Sequence, residues 1–428
     1  MNMTTFEAYA RTLDQQDPLA RMREKFLLPH VNGKESIYLC GNSLGPASKK
    51  VRQALLGEFA DWAGMGVEGH WAARRPWLNY HELVTASLAR LVGAKPIEVV
   101  AMNALSVNLN LMMVSFYRPT RQRYKILIEG TAFPSDRYAV AKRVNGVLGL
   151  CKLLEFEPEA VLLISPRPGE SLLRTEDIVD LIDKEGDSIA LILIGNVNYL
   201  TGQFFDIGAI TAAGHSKGCM VGFDLAHAVG NVPLNLHDDG PDFAVWCHYK
   251  YVNAGPGAIA GCFVHERHAR NFDLPRLAGW WGHDKATRFE MGPEFHPIEG
   301  AEGWQISNPG IFQLAALRAA LEMFDEVGME AIREKSMLLT GYLEFLLDQL
   351  PGHKFEIVTP RDPEQRGCHL SLAMRSPNPE AIIDHWKAAG IICDFRHPNI
   401  IRVAPAPLFN SFMDVYRFVE ILKRLNDE

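Results

Sequence analysis

The sequence predicts an α/β fold on a mostly parallel sheet, with a smaller α/β domain at its C-terminal end. Three observations carry that expectation. Short apolar runs rich in branched residues recur from about residue 97. Helical stripes separate them. After residue 311 long helices dominate, and a second, shorter set of strand-like runs follows. Continuous apolar runs suit strands buried on both faces, as in a parallel sheet.

Taken in order, residues 46–63 read as an amphipathic helix with Val51, Leu55, Phe59 and Trp62 on one stripe. EVVAM (98–102) is strand-like. Further strands are read at KILIEG (125–130), AVLLIS (160–165), SIALILIG (188–195), CMVGFDL (219–225), DFAVWC (242–247) and IAGCFV (259–264). The strand near 189–194, a helical segment near 207–217 and the strand at 219–224 form one βαβ crossover. Gly218 is placed to stop that helix. Leu314, Leu317, Leu321 and Phe324 lie at helical spacing, and a similar stripe runs through 335–350. In the tail, HLSLAM (369–374), IICDFR (391–396) and IIRVAP (400–405) read as strands, and 379–389 and 412–425 as helices. The expected organisation is a large domain over 60–310 and a small one over 311–428, with 1–59 packing against the latter.

Composition narrows the function classes. The chain has 428 residues, 47% of them hydrophobic, enough for a substantial core. Its 43 basic and 51 acidic residues leave a net charge of -8. That balance argues against a nucleic-acid surface, which needs clustered lysine and arginine. It leaves room for an anionic cofactor, which needs only a few local donors. No basic leader with an apolar run opens the chain, and no stretch approaches a membrane span, so no membrane partner is expected. The seven cysteines are scattered with no CxxC pair. They read as buried thiols in a reducing cytoplasm, with neither disulfides nor a metal site.

Four segments carry candidate chemistry. In CHYKYVNAGPG (247–257), Lys250 follows an apolar strand and precedes a turn-rich stretch. Strand ends are where α/β sheets bind ligands. A lysine becomes a useful amine nucleophile when burial or a neighbouring cation lowers its proton affinity. Alone, it reads first as a surface lysine capping a strand; its neighbours change that. In VGFDLAHAVGN (221–231), Asp224 ends an apolar strand, where a carboxylate needs a positive partner. A protonated pyridine nitrogen is such a partner; a helix cap or a salt bridge is the alternative. His227 lies three residues on, roughly on the same side as Asp224 if the chain turns helical there, and could bond Asp224 or simply pack. In EGTAFPSDRYA (129–139), Phe133 can stack on a flat ring or serve the core, and Ser135 or Asp136 can cap the segment after the turn. In MNALSVNLNLMM (102–113), Leu105 and Ser106 sit where a helix begins, a place for an anion or a plain cap. Gly255, Gly257 and Gly261 lack dinucleotide-site spacing and read as a turn.

Together the motifs are more specific. GNSLG (41–45), FPSD (133–136), TGQFFDI (201–207), GFDLAHAVGN (222–231), YKYVNAGPG (249–257), GWWGH (279–283), ISNPG (306–310) and RVAPAPLFNSF (402–412) resemble the kynureninase family, in order and across nearly the whole chain. The resemblance implies a PLP-dependent transferase-like large domain and a homodimer with shared active sites. It implies pyridoxal 5'-phosphate bound to Lys250 as a Schiff base, with Asp224 on the pyridinium nitrogen and Phe133 stacked on the ring. Leu105, Ser106 and Tyr249 would hold the phosphate end, and Pro134, Ser135, Asp136 and His227 would line the cofactor. Trp280 and Asn308 match positions that reach the cofactor from the other subunit. Arg402 matches the arginine that holds the substrate α-carboxylate. His70, Ser307 and Asn308 match positions at the aromatic end in members that favour 3-hydroxykynurenine. Gly195 departs from relatives with a polar residue there.

The implied reaction is hydrolytic Cβ–Cγ cleavage of an amino-acid substrate, L-kynurenine or 3-hydroxy-L-kynurenine. It gives anthranilate or 3-hydroxyanthranilate plus L-alanine, in tryptophan catabolism or NAD supply. Lys250 would be the base, with Tyr249 or water as relay. The rivals are a cysteine desulfurase, which needs a mobile cysteine (Cys368 being the nearest candidate), an aminotransferase, and a non-catalytic PLP-binding protein.

Overall fold

A computed structural model describes residues 3–145, 160–350, 352 and 354–427. Its centre is a seven-stranded sheet. Across the sheet run Val99–Ala101, Gly261–Val264, Phe243–Trp246, Met220–Asp224, Ile189–Gly195, Lys125–Glu129 and Val161–Ile164. Six strands point the same way, and Gly261–Val264 alone runs antiparallel to both its neighbours.

The apolar runs form strands because both sheet faces are covered. Side chains alternate along a strand. Ile192 and Ile194 therefore enter one core with Leu127, Val221, Phe223 and Trp246. Leu191 and Leu193 enter another with Ile126, Ile128, Phe243 and Val245. Helices Glu82–Val92, Thr175–Glu185 and Ile207–Ser216 contribute to the first core, and Leu105–Phe116 and Pro134–Asn145 to the second. The crossover read from sequence is present. Gly218 follows helix Ile207–Ser216 with φ 74°, the left-handed geometry that glycine allows without strain.

A second, four-stranded antiparallel sheet runs Phe355–Ile357, Leu370–Met374, Ile400–Val403, Asp394–Arg396. Helices Met329–Asp348 and Phe412–Asp427 cover it, and Phe6 and Ala10 of the N-terminal helix Met3–Gln16 join the same core. Ile391–Ile392 leaves this sheet to pair with Ile37–Tyr38. The helix Ile311–Val327 packs on Lys49–Met65 and Glu82–Val92, and its buried leucines belong to the core beneath the large sheet.

Three expectations need correction. The helix read at 46–63 is Lys49–Met65, and its stripe is not a core stripe: Val51 is buried, but Phe59 and Trp62 are more than half exposed. Residues 226–230 form turns rather than a helix, so no helical register places His227 beside Asp224. Gly261 lies within a strand, where an added Cβ would come 2.1 Å from the Trp246 ring; only Gly255 and Gly257 belong to the turn. Cys151 lies outside the described residues.

Candidate active site

The strands that run in parallel end on one side of the sheet, and their last residues build a pocket. Glu129 ends Lys125–Glu129, Gly195 ends Ile189–Gly195, and Asp224 ends Met220–Asp224. Asp224 pairs in register with Gly195 on one side and Val245 on the other. Lys250 enters from the turn after Phe243–Trp246. Its Nζ lies 5.9 Å from the ring centres of both Phe133 and Tyr249. Leu105, Ser106, Ser135, Asp136, Asn198, Tyr199 and His227 complete the walls.

The lysine turn is fixed from outside. The Gly45 amide donates to the Tyr249 carbonyl at 2.8 Å. A Cβ at Gly45 would meet the Lys250 carbonyl oxygen at 2.5 Å, so the GNSLG glycine is what lets the N-terminal segment close on this loop.

Three carboxyls share the pocket, and burial pushes all of them up. Glu129 rises to about 7; the Gly195 amide, at 2.8 Å, and the Asn198 amide, at 3.4 Å, pull the other way. Asp136 is pushed well above the carboxylate range by burial and by facing Asp224. Asp224 is raised by burial too, but Lys250, the Ala226 amide at 2.8 Å and hydrogen bonding from Asp136 oppose the rise. The pair therefore keeps its proton on Asp136 and its charge on Asp224. His227 is driven well down by burial first, then by Lys250 and Arg402, and stands neutral with Nδ1 buried and unpartnered.

Behind Tyr199 lies Arg402, 1% exposed. Register places it opposite Asp394 on the neighbouring strand. Its Nε donates to Asp394 at 2.7 Å, its Nη2 bonds the same carboxylate, and its Nη1 donates to the Tyr199 carbonyl at 2.8 Å. With its oxygen turned inward, Asn42 of GNSLG accepts from Nε and Nη2 at 3.1 and 3.2 Å.

Comparison with known proteins decides the family. A family model, the kynureninase C-terminal domain, matches residues 332–422. Curated kynureninases are similar over nearly the full length. That of Myxococcus xanthus is 61% identical, covering 97% of this chain and 96% of the relative. That of Koribacter versatilis is 56% identical, covering 97% of each. The chain belongs to the kynureninase family. Kynureninase activity, the hydrolysis of a carbon–carbon bond in tryptophan catabolism, comes with that membership, and pyridoxal phosphate is the cofactor. Among solved structures, the cysteine desulfurase CsdA of Escherichia coli superposes with a TM-score of 0.77 at 17% identity, covering 96% of this chain and 98% of that one. A C-DES variant described with glycine linked to its PLP cofactor gives 0.75 at 16%, covering 91% and 96%. At that identity the likeness shows the fold alone.

The residues fit the kynureninase cofactor. A buried acid pocket facing one lysine can take a pyridinium. His227 offers an unpartnered ring nitrogen. The helix Leu105–Phe116 opens toward the pocket with the Leu105 and Ser106 amides donating to no described residue, an anion site in waiting. Pro134 starts the helix Pro134–Asn145, a position where its missing N–H costs nothing. Ser135 does not cap that helix but donates to Asp136 at 3.3 Å.

Other sequence candidates lie elsewhere in the chain. His70, Trp280 and Asn308 line a separate cleft with Trp71, Trp281 and Phe289, and Ser307 is exposed beside it. Sequence reasoning alone does not find Glu129, Asn198 and Tyr199. An acid closing the apolar run KILIE is the signal that could have marked Glu129. Gly195 contributes its amide, and a Cβ there would stand 3.5 Å from the Glu129 oxygens, so a side chain is tolerated but not needed. Cys368 is fully buried, which removes it as a mobile nucleophile.

Glu129 yields a pH prediction. Its folded value, about 7, lies above the ordinary 4.5, so its stabilising contribution is complete below pH 4.5 and is lost as pH rises through 7. In cofactor-free protein, Glu129→Gln should gain about 3 kcal/mol relative to the parent between those limits. Urea unfolding of both across that range reads the difference; a pH-independent difference contradicts it.

Proposed function

We propose that the Lys250 pocket cleaves the Cβ–Cγ bond of L-kynurenine and 3-hydroxy-L-kynurenine, releasing anthranilate or 3-hydroxyanthranilate with L-alanine. The observation that carries this reading is the placement of Lys250 within one pocket with the charged Asp224, the open Leu105–Ser106 helix start and the exposed Phe133 ring. Bound there, the cofactor supplies an aldehyde for the substrate amine and a protonated ring that accepts the electron pair left at the α-carbon.

Each residue then has a task. The Lys250 amine anchors the cofactor, is freed when substrate binds, and takes the α-proton. Asp224 keeps the ring nitrogen protonated. Phe133 would cover the ring face, and the Leu105 and Ser106 amides would meet the phosphate. Arg402, already steered by Asp394 and Asn42, retains an Nη1 N–H and its positive charge for the substrate α-carboxylate. Net, water is added across Cβ–Cγ: the carbonyl carbon keeps the hydroxyl and Cβ gains a proton. Tyr249, pushed upward by burial and by Cys247, keeps its phenolic proton and stands beside Lys250 to supply it.

The reading extends to a homodimer with shared sites. Supporting it, Phe59, Trp62 and Trp71 are each more than half exposed, an apolar surface of the kind that marks an interface, and the His70–Trp280–Asn308 cleft lies apart from the chain's own Lys250. The reading also takes in a cytoplasmic location and a link to NAD synthesis, which membership of the family supports. Among the described residues no helix is long and apolar enough to cross a membrane.

Three outcomes test these assignments. Lys250→Ala and Asn308→Ala, each inactive, should regain roughly one quarter of parental activity when their subunits are randomly re-paired, because each mixed dimer has one intact site; no recovery removes the shared site. Arg402→Lys should raise KM by one to two orders of magnitude, matching the about 1.5–3 kcal/mol of a charged hydrogen bond; unchanged kinetics exclude it as carboxylate anchor. If His70 and Asn308 meet the aromatic ring, kcat/KM for 3-hydroxykynurenine should equal or exceed that for kynurenine. A strong preference for the unhydroxylated substrate contradicts that placement.

A further inference from the structure

At the end of the sheet opposite Lys250, three side chains from distant segments converge. Glu98 precedes strand Val99–Ala101, His237 lies on the turn of helix Leu236–Asp239 before Phe243–Trp246, and His265 follows the antiparallel strand Gly261–Val264. All three therefore sit where the parallel strands begin, whereas Asp224 and Lys250 sit where they end. We propose that Glu98, His237 and His265 form a binding site for a divalent transition-metal ion of the zinc type.

The argument starts from Glu98. Its carboxyl is fully buried, yet among the described residues no lysine or arginine side chain bonds it. Lys95, the nearest candidate, sends its ammonium to Glu266 at 2.6 Å and offers Glu98 only its backbone amide, at 2.7 Å. The Glu266 amide is the second donor, at 2.9 Å. A buried carboxylate wants a positive partner, and here imidazoles face it.

The three candidate ligand atoms all lie within 4.8 Å of one another. Bonds of about 2.0–2.2 Å in a tetrahedron set ligand atoms about 3.3–3.5 Å apart. Nδ1 of His237 and Nδ1 of His265 lie 3.0 and 3.9 Å from Glu98 Oε1, on either side of that spacing. The first distance also suits a hydrogen bond; the second does not. His265 donates Nε2–H to the His237 carbonyl at 3.2 Å, which leaves Nδ1 as its lone-pair nitrogen, 3.9 Å from the Glu98 oxygen. A backbone carbonyl on the far nitrogen is the usual orienting partner of a metal-bound histidine. His265 Nδ1 also accepts the Arg267 amide at 3.1 Å; an ion would replace that donor, and Arg267 is exposed, so water can satisfy the amide. His237 is partly exposed, giving an entry path and an open fourth position for water.

The other histidine–carboxylate group, His81 with Glu82 and Glu302, has no such need. There Lys285 already places its ammonium 2.9 Å from Glu82 and 2.6 Å from Glu302. The Glu98 ion would tie the edge strand Val99–Ala101 and its neighbour Gly261–Val264 to the helix Leu236–Asp239, a structural role remote from the chemistry.

The test uses tag-free holoenzyme, cleared of metal with a chelator and titrated with zinc or cobalt(II). One ion per chain should survive gel filtration, the melting temperature should rise, and cobalt should give the visible bands of a four-coordinate site. His237→Ala, a change at a partly exposed position, should weaken zinc binding by more than an order of magnitude, as should Glu98→Gln, while His81→Ala leaves it intact. The proposal is overturned if no ion is retained, or if the ion persists in both His237→Ala and Glu98→Gln. Steady-state turnover should be the same with and without zinc.

Discussion

The active end of this molecule depends on one electrostatic relation: a single lysine amine facing a group of buried acids. Glu129 and Asp224 end two parallel strands and Asp136 lies on the helix beside them, all out of water, and the Asp224 charge raises the proton affinity of the other two. They cannot all be ionised. Lys250 selects Asp224 to carry the charge, and Asp136 holds the shared proton. A cationic heteroaromatic ring beside Asp224 would relieve the arrangement, so the pocket's charge fits a pyridinium better than a neutral ligand.

The rest of the fold keeps that relation in place. Two covered sheet faces make the strands rigid, and register sets Asp224 between Gly195 and Val245. The N-terminal segment reaches the lysine turn through Gly45 and reaches Arg402 through Asn42. Arg402 joins the small sheet to the pocket by donating to the Tyr199 carbonyl. In the proposed function, substrate carboxylate and cofactor would be held by separate sheets joined through this buried hydrogen bond.

Much of this was legible in the sequence, for physical reasons. Strands buried on both faces leave continuous apolar runs, and all seven strands of the large sheet fell within runs read as strand-like. A carboxylate closing such a run is costly, which marked Asp224. What the sequence hid are features that only tertiary contact creates. Phe59 and Trp62 form a regular helical stripe but face outward, since periodicity cannot tell a core from an uncovered surface. Glu129 looked like an ordinary strand end until Gly195 and Asn198 closed over it. Glu98, His237 and His265 share no motif spacing, being 139 and 28 residues apart.

The most direct test of the central claim is chemical. The holoenzyme is reduced with borohydride, digested, and its peptides are weighed. The account predicts the reduced cofactor as a stable adduct on the peptide bearing Lys250, and on no other lysine. An adduct on a different lysine, or cofactor released entirely free, would contradict the role given to Lys250.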